Sequence, residues 1–358
     1  MTVFPIGPQH PALLEPFSVK VDTEGERVKG VEIRLGYAHR GIEKLFENMN
    51  FYKTIPLAER ICGICSGAHT ICCSQIFENC LNLEISNRAK CIRTIVAELE
   101  RIHSHLLFAG ELMHIIGFKT LFMFFWKIRE YVLDALETIS GNRINYSMST
   151  IGGVRRDIDE KISKITLNCL DKIENKVREY IRECEGDKLI KLRTEGIGLL
   201  SKSEARKYCC VGPVARASSL EIDVRKDIPY AFYGSIDFDI VVFDEGDVKA
   251  RLLARLYEIL ESIEIIKQAI KNMPDGNIKT RFPWKLNEGE FMACVEAPRG
   301  ELFYYLFSKG GLKPYRMRIR TPTYANIASL EVMLQDANIA DVPVIISSID
   351  PCISCLDR

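Results

Sequence analysis

The 358-residue sequence predicts a mainly α fold of the α+β class: a central bundle of long helices with small β elements contributed by both ends of the chain. Three observations predict it. Apolar residues recur at three and four over residues 87–116, 120–139, 157–185 and 245–273, the stripe of a helix that buries one face. The first 35 residues alternate apolar and polar positions instead, the period of a half-buried strand. Two Cys-x-x-Cys pairs, Cys62 with Cys65 and Cys352 with Cys355, stand almost a whole chain apart, so a metal shared between them would clasp the two ends of the fold.

Taken in order, Phe17, Val19 and Val21 alternate up to a turn at Glu24, Gly25 and Glu26, and Val28, Val31 and Ile33 alternate after it, which reads as a β-hairpin. Ser86 is placed to cap the first long helix. Residues 106–126 are the most apolar stretch and are long enough to span a bilayer. Glu111, His114 and Lys119 interrupt it, and Gly117 with Phe118 reads as a break between two buried helices. Pro274, Asp275 and Gly276 stop the helix of residues 245–273. Residues 213–244 mix Pro, Gly and aromatic residues without a long period, and 290–320 hold short β-like segments. A last helix is expected over 324–335 and a strand over the apolar run 344–349. With no repeat or flexible linker, one folded unit is expected. Residues 1–85 form a β and loop region with the first pair, 86–280 the helical bundle, and 281–358 an α/β region with the second pair.

Forty-eight basic residues balance forty-eight acidic ones, so no net field favours nucleic acid or an anionic membrane. Thirteen cysteines without a secretory leader pattern point to a reducing, intracellular compartment. Nine of them, Cys72, Cys73, Cys80, Cys91, Cys169, Cys184, Cys209, Cys210 and Cys294, show no second metal spacing and read as small apolar filler. Arg316, Arg318 and Arg320 read as the solvated face of an edge strand, with an anion site as the alternative. The two Cys-x-x-Cys pairs offer four thiolates, and their spacing leaves structural zinc, iron-sulfur and nickel chemistry all open.

The flanking residues bring in a family. Arg60-Ile61-Cys62-Gly63-Ile64-Cys65 with His69, and Asp350-Pro351-Cys352-Ile353-Ser354-Cys355, resemble the paired signatures of nickel-iron hydrogenase large subunits. Gly7-Pro8-Gln9-His10-Pro11, the segment from Leu35 through His39-Arg40-Gly41-Ile42-Glu43-Lys44-Leu45, Glu100-Arg101-Ile102-His103-Ser104-His105 and Glu296-Ala297-Pro298-Arg299-Gly300-Glu301 extend the resemblance over nearly the whole chain. They are similar to the energy-converting, membrane-associated branch, and to the quinone-site subunit of respiratory complex I. The quinone-site relatives lack the thiolate pairs, which this chain keeps, and carry Lys where it has Arg299.

The resemblance implies a nickel-iron hydrogenase large-subunit fold and a nickel ion held by all four cysteines. Cys65 and Cys355 would bridge to an iron carrying carbon monoxide and cyanide, and Cys62 and Cys352 would be terminal. It implies that Glu15, in Leu13-Leu14-Glu15-Pro16, relays protons, that Arg299 overhangs the centre with Asp350 as its carboxylate partner, and that His69 hydrogen-bonds a bridging thiolate. Burial near a metal would tune such a carboxylate, and a guanidinium presents a fixed fork of donors. His10, His103, His105 and Glu43 read as scaffold or relay residues. Arg358 stands where many large subunits carry His, so no extra magnesium or iron site is expected.

The implied activity is reversible formation of H2 from protons and electrons. No iron-sulfur cluster is expected in this chain, so electrons would come from ferredoxin through an iron-sulfur small subunit. Ion-translocating membrane subunits, maturation proteins and a peripheral position on the cytoplasmic side of the membrane complete the expectation. The competing readings are a complex I-like quinone-site or scaffold subunit and a structural subunit stapled by a four-cysteine zinc clasp.

Overall fold

The computed structural model describes residues 2–10, 13 and 15–358. Four long helices form the centre: Asn87–Ile115, Lys119–Ser140, Glu160–Gly186 and Val248–Lys271. Each packs on two of the others, closing a four-helix ring. The cap expected at Ser86 is present, and two of the other long helices carry one as well. The Ser86 hydroxyl accepts the Ala89 amide, and Asp159 and Asp247 accept the Ile162 and Ala250 amides, each satisfying an orphan donor of a first turn. The third helix shows how periodicity specifies packing: its buried positions include Thr166, Leu170, Ile173, Val177, Ile181 and Cys184, spaced by three and four, with charged residues on the other side.

The apolar stretch at 106–126 breaks as expected. Gly117 takes a left-handed φ of 90° between the first two helices, which turns the chain back and splits the run. Among the described residues no helix is long and apolar enough to cross a membrane.

The N-terminal strands β1 (Thr2–Ile6), β2 (Ser18–Glu24) and β3 (Arg27–Arg34) form an antiparallel sheet in that order. Val19 pairs with Ile33 and Val21 with Val31. At the other end β4 (Leu286–Ala297) and β5 (Gly300–Gly311) make a long hairpin, and β6 (Arg316–Arg320) adds a third strand. This is a more extended element than the short segments expected. Its turn is the two residues Pro298 and Arg299, because Ala297 pairs with Gly300. In β6, Met317 and Ile319 are buried while Arg316, Arg318 and Arg320 meet Glu47, Glu43 and Glu301, so the solvated-strand reading holds.

Two expectations fail near the C-terminus. The run at 344–349 is not a strand: Val342–Ser348 is a helix, started by Pro343 and packed on the first and fourth long helices. A short apolar run buried on all sides carries no period that separates strand from helix, and β-branched residues misled the reading. The helix expected over 324–335 breaks into Pro322–Asn326, a three-residue 3-10 turn and Leu330–Met333. There the Asn326 side chain bonds both backbone groups of Val211, and the Ser329 hydroxyl donates to the Asn326 carbonyl, which competes with a regular ladder.

The ends of the chain meet. Val28 exchanges backbone hydrogen bonds with Ala337 and Asp336, and the Ile339 amide donates to the Glu26 carbonyl. The helix Ser66–Cys80, which follows the first cysteine pair, packs on the C-terminal hairpin.

Candidate metal centre

The four cysteines of the two pairs converge. The Cys62 and Cys352 sulfurs lie 3.3 Å apart, Cys352 and Cys355 3.1 Å, and Cys65 and Cys355 3.4 Å, while all four residues are at most 4% exposed. All remain free thiols. Local structure aims them. Cys65 is the N-cap of the helix Ser66–Cys80, and the Ile64 amide donates to the Cys62 sulfur at 3.3 Å. Cys352 is the N-cap of a short helix, Ile353–Asp357, and its own amide donates to the Thr323 hydroxyl at 3.0 Å.

The donor set fits a soft or borderline cation. Hydrogen bonds from Cys352 and Cys355 draw Cys62 well below the ordinary thiol range, and burial pushes Cys355 well above it. The cluster thus holds one negative charge readily and resists the rest, and a bound cation is what would stabilise four buried thiolates together. Three of these cysteines form one group with metal-ligand proximity, and Cys65, Cys355 and His69 form a second.

Arg299, at the hairpin turn, lies against this cluster. It is 7% exposed; its Nε donates to the Asp350 carbonyl and its Nη2 to the Asp350 carboxylate, both at 2.8 Å. Burial opposes its charge, but Asp350 and then the Cys352, Cys62 and Cys65 sulfurs more than offset that and raise its pKa. Its Nη1 and the second Asp350 carboxylate oxygen are buried with no partner among the described residues. These are a donor and an acceptor free for a further group. The turn is seated by two glycines. A Cβ on Gly212 would lie 2.4 Å from the Arg299 carbonyl oxygen, and one on Gly300 would lie 2.8 Å from the Gly212 nitrogen.

Glu15 comes to the second pair: its carboxylate accepts the Ser354 amide at 2.8 Å. Burial, the largest cause, raises its pKa; the Ser354 hydrogen bond works against this, and the thiolate whose charge adds to the rise is Cys62. His69 places Nε2 3.5 Å from the Cys355 sulfur and Nδ1 2.9 Å from the Tyr304 hydroxyl. His105 and His103 sit in buried polar networks. His105 Nε2 bonds Glu258 at 2.9 Å, and His103 Nδ1 accepts from Arg129 at 3.0 Å. Glu43 accepts the Ile319 amide and meets Arg318 and Arg358, which ties the last residue to β6. Of the remaining cysteines most are buried, whereas Cys209 is exposed and Cys169 and Cys294 are half-buried.

Sequence reasoning missed several residues that shape the centre. Tyr304 and Gly212 carried no signal of their own, and Thr323 closes the segment 316–323, whose resemblance to a cluster-lining segment singled out no residue. Arg40 lay inside a noted motif without a role. Glu100, whose carboxylate accepts the Gly67 and Ala68 amides at the start of the helix bearing His69, was likewise only part of a motif.

Comparison with known proteins covers almost the whole chain. A family model described as nickel-dependent hydrogenase matches residues 40–115, and one described as respiratory-chain NADH dehydrogenase, 49 Kd subunit, matches 116–285 and 283–358. The chain is 41% identical to the carbon monoxide-induced hydrogenase of Rhodospirillum rubrum, over 99% of this chain and 98% of that protein. It is 39% identical to the membrane-bound hydrogenase alpha chain of Pyrococcus furiosus (99% and 87%) and 36% identical to a component of the F(420)H(2) dehydrogenase of Methanosarcina mazei (99% and 96%). Among solved structures, a chain of the membrane-bound sulfane sulfur reductase, an archaeal respiratory membrane complex, superposes with a TM-score of 0.95 at 34% identity, covering 100% of this chain and 98% of that one. The chain therefore belongs to the energy-converting branch of the hydrogenase large-subunit family, the branch related to the 49 kDa subunit of respiratory-chain NADH dehydrogenase.

Proposed function

We propose that this chain is the catalytic subunit of an energy-converting nickel-iron hydrogenase that forms H2 reversibly from protons and electrons. Relatives with other names share the fold, so fold alone does not assign the reaction. The observation that carries the reading is the convergence of four buried cysteine sulfurs beside Arg299 and Asp350. Cys62, Cys65, Cys352 and Cys355 would hold the metals. When bound, a nickel-iron group whose iron carries carbon monoxide and cyanide supplies the soft Lewis acidity at which H2 is made or split.

The protein's own groups supply the rest. Arg299 keeps its charge in a dry site and has one guanidinium nitrogen free for the ligands of the iron. Glu15, raised by burial toward neutrality, accepts and releases protons at the cysteine cluster, Cys352 being the thiolate that exchanges them. His69 orients Cys355. The chain acts as one domain. It receives electrons from ferredoxin through an iron-sulfur small subunit, sits peripherally on the cytoplasmic side of ion-translocating membrane subunits, and is loaded by maturation proteins.

The test is metal analysis and infrared spectroscopy on the native complex, with H2-dependent dye reduction. Nickel and iron in equal amounts, bands from bound diatomic ligands, and loss of activity in Cys352→Ser are expected. Zinc alone, with no such bands, would sink the proposal.

A further inference from the structure

One guanidinium joins the two halves of the cysteine cluster. Arg40 Nη2 donates at 2.8 Å to the carbonyl of Ile61 and at 2.8 Å to the carbonyl of Ser354, and its Nη1 donates to the Arg60 carbonyl at 2.9 Å. Ile61 is the residue before Cys62, and Ser354 is the residue before Cys355. A single nitrogen therefore holds the peptide entering one cysteine of each pair, and Arg40 itself stands 314 residues before Ser354 in the chain. The Ser354 residue is gripped from both sides, since its amide donates to Glu15 while its carbonyl accepts from Arg40.

The segment around Arg40 is itself locked to the chain end. The Asp357 carboxylate accepts the amides of Gly36 and Ala38 at 2.9 Å each, and His39 Nδ1 lies 2.7 Å from the Asp357 carbonyl oxygen. Glu43 then meets Arg358.

We propose that Arg40 is a positioning residue that sets the separation of the two cysteine pairs, with Asp357 fixing the loop that carries it. The planar fork of arginine reaches three carbonyls at once, which a lysine ammonium on a flexible stem does not reproduce. The inference deepens the proposed function by naming what holds its ligand set together, and it rests on that reading only for the metal-loaded state.

The test uses the full chain without metal and maps maleimide labelling of each cysteine by mass spectrometry. In Arg40→Ala, Cys62 and Cys355 should label about tenfold faster than in wild type, equivalent to about 1.4 kcal/mol of local opening. Buried Cys184, far along the third long helix, should label unchanged. Arg40→Lys, which keeps the charge but not the fork, should show a smaller selective rise and guards against loss of folding in the alanine variant. Arg34→Ala, an exposed partner of Glu32, is the control for charge removal and should match wild type. Equal labelling of Cys62 and Cys355 in wild type and both Arg40 variants overturns the proposal, as does a parallel rise at Cys184. In the native complex, Arg40→Lys should also shift the infrared bands of the centre. Absence of any bands in wild type would refute the hydrogenase reading while leaving the labelling result to decide the role of Arg40.

Discussion

Replacing Asp350 by Asn tests the buried charge pair beside the cysteines. The substitution keeps size and tolerance of the left-handed backbone, which matters because Asp350 has a φ of 53°. It removes the carboxylate charge that faces Arg299 at 2.8 Å, with both side chains at most 8% exposed. Breaking such a pair and stranding one charge costs about 3–5 kcal/mol. The Cys62 thiolate still faces the guanidinium, which puts the expected loss at the lower end, about 3 kcal/mol. For 358 residues, an unfolding entropy of roughly 0.75 kcal/mol/K converts that into a fall of about 4 °C in Tm. Thermal unfolding of the full chain measures it. Adding Arg299→Gln removes the stranded charge, so the double variant should recover part of the loss, with a coupling of about 1 kcal/mol or more. H2-dependent activity should be lost in the double variant. A single variant melting within about 1 °C of wild type, well short of the expected shift, would refute the claim that Asp350 compensates Arg299.

Three further outcomes are expected. Glu15→Gln keeps an acceptor for the Ser354 amide, so metal content and Tm should hold while dye reduction falls by about 100-fold or more; an unchanged rate would remove Glu15 from the proton path. Gly212→Ala should destabilise the chain by about 3 kcal/mol, since the new methyl group collides with the turn bearing Arg299 and Gly212 has a φ of 65°; urea unfolding at neutral pH checks it. Burial holds His105 at about 4 despite its bond to Glu258. Its folded value lies below the ordinary one, so its contribution is full above pH ~6.5 and is lost as pH falls through 4, by about 3 kcal/mol in total. His105→Gln should lose less stability than wild type between pH 7 and pH 4, read from urea midpoints, and identical pH dependence would exclude His105 as the source.

The helix Glu160–Gly186 was legible because it buries one stripe, which is a local pattern, and the helix Asn87–Ile115 because its apolar run is long and its cap at Ser86 lies beside the terminus it fixes. The run 344–349 was misread for the complementary reason. It is buried on every side, so its helix is decided by neighbours distant in sequence rather than by its own period. Among the site residues, cysteine spacing announced a metal-binding set and the flanking motifs pointed to Glu15, His69, Arg299 and Asp350. The sequence held no cue for Thr323 as acceptor of the Cys352 amide, for the fit of Gly212 under the Arg299 turn, or for the task of Arg40.

By itself, then, the sequence determined the cysteine pairs of the candidate site, the helical bundle and the family, each of which is written in residue identity and short-range period. Only the tertiary structure decided that sulfurs 290 residues apart in the chain stand within 3.4 Å of each other, and which groups hold them there. Such contacts depend on chain closure, and backbone carbonyls gripped by Arg40 have no signature in side-chain identity.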